Sequence, residues 1–168
     1  MIENETLKII PLTHPQLIKY LAADNLLEKE LGLKQNNRNV SAAVKEMVET
    51  FTLPKINEHG AKDFLFYTFW IVVDKKINTI VAELGFKGPP NIKGEVEIGY
   101  GTMPDFQGNG YMTAAVKSII EWATERNDIK TILGSVDKKN SPSIRVLEKN
   151  GFKFYEEKEK LLWWKLDV

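Results

Sequence analysis

Cysteine is absent from the 168 residues. Its absence excludes a disulfide framework, a thiolate metal site and a covalent thiol nucleophile, and it fits a reducing compartment. Histidine is scarce: only His14 and His59 occur, and no third group stands with either at metal-ligand or triad spacing, so neither is assigned chemistry and no metal is expected. No apolar stretch approaches membrane-spanning length, and no basic segment precedes a hydrophobic run after Met1, so a cytoplasmic protein without a membrane partner is expected. Charge of one sign is lacking as well. Lys plus Arg and Asp plus Glu number 23 each, leaving no net field that would draw the chain to nucleic acid or to anionic lipid. What is present, 43% apolar and 27% charged residues, suits a globular chain of this length with a sizeable core. One domain over residues 1–168 is expected, as a monomer or homodimer.

The most informative stretch is residues 104–115, Pro-Asp-Phe-Gln-Gly-Asn-Gly-Tyr-Met-Thr-Ala-Ala. Apolar residues at Met112, Ala115, Val116, Ile119, Ile120 and Ala123 have the spacing of one buried helix face, which places Gly108 and Gly110 at or just before a helix N-terminus. Unpaired backbone N–H groups and the positive end of the helix dipole favour phosphate there, and glycine lets the backbone approach without a Cβ. The same spacing also serves a plain strand-to-helix turn. A nucleotide site of another kind is less well supported: the loop lacks the Gly-Lys-Ser/Thr ending of a Walker motif and the longer glycine fingerprint of dinucleotide folds.

Around this loop the pattern alternates between strands and helices. Residues 7–12 predict a strand, followed by a helix capped by Thr13 that carries Pro15 in its first turn, faces Leu17, Ile18 and Leu21 inward and ends near Gly32. After a polar loop over residues 33–39, Ser41 caps a second helix with Val44, Met47, Val48 and Phe51 on one face. Residues 53–62, with Pro54 and Gly60, read as a connection; residues 64–73 read as a central strand, and residues 77–86 as its hairpin partner. Residues 95–100 alternate as a strand that Gly101 interrupts as a bulge would, and residues 131–136 form another. Ser141 and Pro142 predict the cap and first position of a short helix ended by Asn150-Gly151. Residues 152–155 and 160–166 are the last strands, with 156–159 a solvated hairpin tip, and Trp163 and Trp164 point to opposite faces. The sum is an α/β (α+β) fold, a mixed, mostly antiparallel central sheet flanked by helices.

Glu97-Ile98-Gly99-Tyr100, then Gln107-Gly108-Asn109-Gly110-Tyr111-Met112-Thr113, then Asn140 through Ser143 to Glu148-Lys149-Asn150-Gly151-Phe152 resembles the GNAT superfamily of acyl-CoA-dependent N-acetyltransferases, in its RimJ/RimL-like branch. The resemblance implies the same fold and acetyl-CoA (coenzyme A) as cofactor. Its pyrophosphate would lie on backbone N–H groups from Gly108 through Asn109, Gly110 and Tyr111 to Met112, with Gln107 also at the cofactor; the backbone around Thr102 and Met103 would bind the pantetheine arm, and Asn140 would orient that arm or the strand-to-helix turn. The acceptor would be a small-molecule or peptide amine, with specificity residing in residues 31–40 and 53–62. Ser143 matches the serine that the branch uses to protonate the leaving thiolate; helix capping is its plainer role. Strand alternation puts Glu95, Glu97 and Gly99 on one face within reach of Glu83, so that Glu97 or Glu83 could take the amine proton, or serve only as an ion-paired sheet carboxylate. Three positions depart from the family pattern: Asp105, Ala114 and Leu147, the last in a slot where many members carry an acidic tyrosine. Leu147 keeps a rival open, an acyl-CoA-binding regulatory domain without turnover.

Overall fold

β-branched and aromatic side chains concentrate in β3 (Phe69–Asp74) and β4 (Thr79–Phe86), the middle of an eight-stranded sheet. The computed structural model of the chain describes residues 1–59 and 63–168. The other strands are β1 (Ile2–Glu3), β2 (Leu7–Pro11), β5 (Glu95–Thr102), β6 (Thr131–Asp137), β7 (Lys153–Lys158) and β8 (Leu161–Asp167), in the order β1-β2-β3-β4-β5-β6-β8-β7. Every neighbouring pair is antiparallel except β5 and β6. That single parallel pair is joined by α6 (Tyr111–Thr124), because parallel neighbours need a crossover.

Both faces of β3 are buried, as an all-apolar strand run requires. Trp70 and Val72 join Ile98, Met112, Val116 and Ile119 under α6, with α7 (Ser141–Lys149) on the same side. Phe69, Ile71 and Val73 face the other way, against Leu17 and Tyr20 of α1 (His14–Ala22), Leu27 of α2 (Leu26–Glu30) and Val48. Past α3 (Ala42–Met47), the chain forms a π turn (Val48–Thr52), α4 (Leu53–His59) and α5 (Phe64–Tyr67). No helix among the described residues is long and apolar enough to cross a membrane.

Several local expectations are corrected. The first helix does not run to Gly32: Ala23 and Asn25 take left-handed backbone, φ 51° and 64°, and split off α2. Ile18 is 52% exposed, and Tyr20 takes the inward position instead. The expected connection at 53–62 is helical through His59, since Pro54 in the first turn of α4 has no N–H to lose; Gly60 and residues 61–62 lie outside the described residues. Residues 64–67 are helical rather than strand. A continuous apolar run does not distinguish the two, and here Phe66 turns toward Phe86 and Trp122. Gly101 does not interrupt β5: it pairs with Glu83 in unbroken register, and the bulges fall at Val72/Val73 and Phe154/Glu156. Glu156–Lys158 belongs to β7, leaving Glu159 and Lys160, both at positive φ, as the tip. Asn140, not Ser141, caps α7.

Candidate active site

The loop before α6 opens with one 3-10 turn, Pro104–Phe106, and closes with Gly110 as the helix cap. Gly108 and Gly110 both have φ 79°, a conformation that disfavours any side chain, and a Cβ built on either would meet nothing within 4 Å. Backbone N–H groups of residues 108–113 donate to no carbonyl among the described residues. The side chains around them turn elsewhere. Asn109 Nδ2 donates to the carbonyls of Phe106 and Gln107, Met112 is buried in the core, and the Asp74 carboxylate near the Tyr111 hydroxyl raises the tyrosine's pKa. Gln107 Nε2 donates to the Thr102 carbonyl at 3.3 Å, and Met103 N–H donates to the Val81 carbonyl.

Beside the loop, β5 and β6 stay paired only from Glu95↔Thr131 to Ile98↔Gly134. Gly99 to Thr102 continue on β4, Ser135 to Asp137 continue on β8, and the two strands diverge. A cavity of about 190 Å³ fills the divergence, lined by Gly99, Tyr100, Ser135, Asn140 and Ser143 among others. Ser143 lies in the first turn of α7, where its N–H donates to Asn140 Oδ1 at 3.2 Å. Its hydroxyl donates to the Tyr100 hydroxyl at 3.0 Å, and the Tyr100 hydroxyl donates to the Ser143 carbonyl at 3.2 Å. Burial pushes the Tyr100 pKa up, with the Ser143 hydrogen bond opposing, so the phenol keeps its proton at working pH. Leu147 is 1% exposed and packs onto Gly134, where an added Cβ would meet Leu147 Cδ2 at 3.0 Å.

On the opposite face of β4 and β5 a larger cavity, about 490 Å³, lies beneath α3 and the π turn. Lys87, Gly99 and Tyr100 line both cavities, so the two meet at one point of β5. Glu83 lies inside the larger one and accepts a hydrogen bond from the Tyr20 hydroxyl. Behind Tyr20 stands Arg38, 6% exposed: its guanidinium stacks on the ring at 4.1 Å, Nη1 donates to the Tyr20 carbonyl, and Nε pairs with Glu28 Oε1 at 2.9 Å. Burial raises the Glu83 pKa, while the Tyr20 hydrogen bond and the Arg38 charge pull the other way. Glu97 is differently placed. Its Oε1 accepts from Ser135 Oγ at 2.6 Å and pairs with Lys87 Nζ.

Tyr20, Arg38, Lys87, Ser135 and Tyr100 carry no role in the sequence reading. Tyr100 alone had a signal there: alternation sets it on the face opposite Glu97, toward the helix that holds Ser143.

The family profile described as "Acetyltransferase (GNAT) domain" matches residues 13–153. The chain belongs to the GNAT acetyltransferase family. It is 30% identical over 152 residues to the Bacillus subtilis (strain 168) protein named "Uncharacterized N-acetyltransferase YjdG", covering 90% of this chain and 89% of that one. Many solved structures share this fold, among them two acetyltransferases. The ribosomal-protein-S5-alanine acetyltransferase from Vibrio fischeri gives a TM-score of 0.66 at 17% identity, covering 98% of this chain and 94% of that chain. Spermidine N-acetyltransferase from Vibrio cholerae, solved with CoA and spermine, gives 0.64 at 12% identity, covering 98% and 96%. The chain is thus a GNAT N-acetyltransferase, and enzymes of this family use acetyl-CoA.

Proposed function

We propose that this GNAT enzyme acts as one domain, in the RimJ/RimL-like branch, transferring acetyl from acetyl-CoA to a primary amine of a protein N-terminus or small molecule by direct attack. The observation that carries the reading is the meeting of two cavities at Gly99–Tyr100, one holding paired hydroxyls and the other a buried carboxylate. Ser143, which matches the branch's serine, supports the branch assignment.

The residues present suit the coenzyme. N–H groups at 108–113, which meet no carbonyl partner among the described residues, offer a pyrophosphate several charge-assisted hydrogen bonds, with open space above both glycines. Unladdered edges of β5 and β6 offer an extended amide-bearing arm the donors and acceptors that a neighbouring strand would otherwise use. When bound, acetyl-CoA supplies the thioester whose C–S bond breaks as the new N–C bond forms. Glu83 takes the proton the amine must lose, and Tyr20 and Arg38 hold that carboxylate in position. The Tyr100–Ser143 pair gives a proton to the departing sulfur, Tyr100 being protonated at neutral pH. Glu83 is chosen over Glu97 because the Glu97 carboxylate is already engaged by Lys87 and Ser135. Asn140 orients the first turn of α7.

The rival reading, binding without turnover, drew on Leu147. That side chain fills core against Gly134, and a different phenol, Tyr100, stands at the cleft. The test is thiol release from acetyl-CoA across an amine panel that includes ribosomal-protein N-terminal peptides. Release that depends on amine and falls with Glu83→Gln supports the proposal; tight acetyl-CoA binding with no amine-dependent release overturns it.

A further inference from the structure

The larger cavity is more selective than proton transfer alone requires. Resting on the reading of that cavity as the acceptor site, we infer that the acceptor is a primary amine with a single positive charge and an apolar or aromatic body. Both a free amine of that kind and the N-terminal residue of a peptide with an apolar first side chain have this chemistry.

The floor beside Glu83 is bare. Gly85 pairs with Gly99 across β4 and β5, and Glu83 pairs with Gly101, so three side-chain-free positions share one face with the carboxylate. A Cβ at Gly85 would press on the Thr68 carbonyl at 3.3 Å, and one at Gly101 would sit in ordinary contact with Glu83 Oε1 at 3.5 Å, taking up space beside the carboxylate that the glycines leave open. Apolar groups form the walls. Val44, Met47 and Phe51 come from above, and Tyr67 and Phe69 from the side. Met47 is 39% exposed and borders the cavity. At about 490 Å³ the space lies within the range of about 300–1,000 Å³ typical of small-molecule sites.

Charge decides the class. Glu83 is the one carboxylate among the described lining residues, and the other ionic group there, Lys87, is positive. A second ammonium on the acceptor would stand among apolar walls with no free counter-charge among the described lining residues, since Glu83 serves the first amine and Lys87 is already paired with Glu97. Aromatic faces would return part of the lost hydration through cation–π contact, but that attraction is smaller than the cost of desolvating an unpaired charge. Polyamines and aminoglycosides are therefore disfavoured. In the transfer itself the ammonium first releases one proton to solvent, the neutral amine nitrogen then gains the bond to the acetyl carbon as the C–S bond breaks, its second proton goes to Glu83, and the sulfur is protonated from the Tyr100–Ser143 pair.

The test compares kcat/KM, by thiol release, for 2-phenylethylamine, a Phe-initiated tripeptide, a Ser-initiated tripeptide and spermidine. We expect phenylethylamine or the Phe peptide to exceed both polar acceptors by at least about tenfold, the gain of one well-filled apolar pocket; which of the two leads identifies the source. Met47→Glu, at a half-exposed position, should move the spermidine-to-phenylethylamine ratio at least about tenfold toward spermidine. Preference of the parent enzyme for spermidine or the Ser peptide overturns the inference while leaving amine acetylation intact. An unchanged ratio in Met47→Glu with native melting also counts against it. Failure with every amine overturns the transfer reading, and this inference with it.

Discussion

Replacing Gly108 with alanine separates what the loop backbone does for folding from what it does for binding. At φ 79° a non-glycine residue carries a left-handed penalty of about 1–2 kcal/mol. The new methyl meets nothing within 4 Å, so no clash adds to that cost. For a chain of this size about 2–4 °C of melting temperature accompanies each kcal/mol, so the variant should melt roughly 2–8 °C lower. That strain is the same with and without ligand and cancels from the affinity. A binding defect arises only if a phosphate packs against the loop where the methyl now projects. Losing one charge-assisted hydrogen bond costs about 1.5–3 kcal/mol, or roughly ten- to 150-fold in Kd. Scanning calorimetry reads the first quantity and titration calorimetry with acetyl-CoA the second. A lowered melting point with unchanged affinity would refute the cradle, because the strain would be present and the ligand would be elsewhere.

Glu83→Gln should lower kcat by about 10² to 10⁴ at near-parent acetyl-CoA affinity, while Glu97→Gln should cost much less. Stability should respond in the opposite direction: burial raises the folded pKa of Glu83, so ionising it costs stability as pH rises from the ordinary carboxylate range through that raised value, and above this window Glu83→Gln should melt higher than the parent. Tyr100→Phe and Ser143→Ala should each lower turnover within the range of about 10² to 10⁴ and combine to less than the product of the single losses, because they form one hydroxyl pair; independent effects in the double variant would break that assignment. Arg38→Met strands Glu28 in the interior and should cost about 3–5 kcal/mol, with Arg38→Met/Glu28→Leu recovering much of it in urea unfolding.

Much of the architecture was legible because it is local. The apolar spacing of 112–123 predicts α6, the glycines before it predict its N-terminal loop, and both follow from neighbours within a few residues in the chain. Strand alternation likewise puts Glu83 and Glu97 on a common face, and Ser143 falls in the first turn of a helix on capping signals alone, although Asn140 and not Ser141 supplies the cap. Periodicity says which side of a segment is apolar but not what it meets. Spacing sets Val44, Met47, Val48 and Phe51 on one helix face; Val48 is buried in the core and Val44 and Phe51 pack against it, yet Val44, Met47 and Phe51 also border a cavity. The pairings at the site join residues far apart in the chain: Tyr20 with Glu83 across 63 positions, Tyr100 with Ser143 across 43, and Ser135 with Glu97 across 38. Register decides that three glycines lie flat beside one carboxylate, and the divergence of β5 from β6 decides that a cleft opens next to Tyr100. Those are properties of how strands are laid side by side. By itself the sequence determined which residues make strands, helices and an exposed glycine loop, since steric preference and apolar spacing act along the chain; which carboxylate is buried, and which hydroxyl faces it, was decided only when tertiary packing took those groups out of water together.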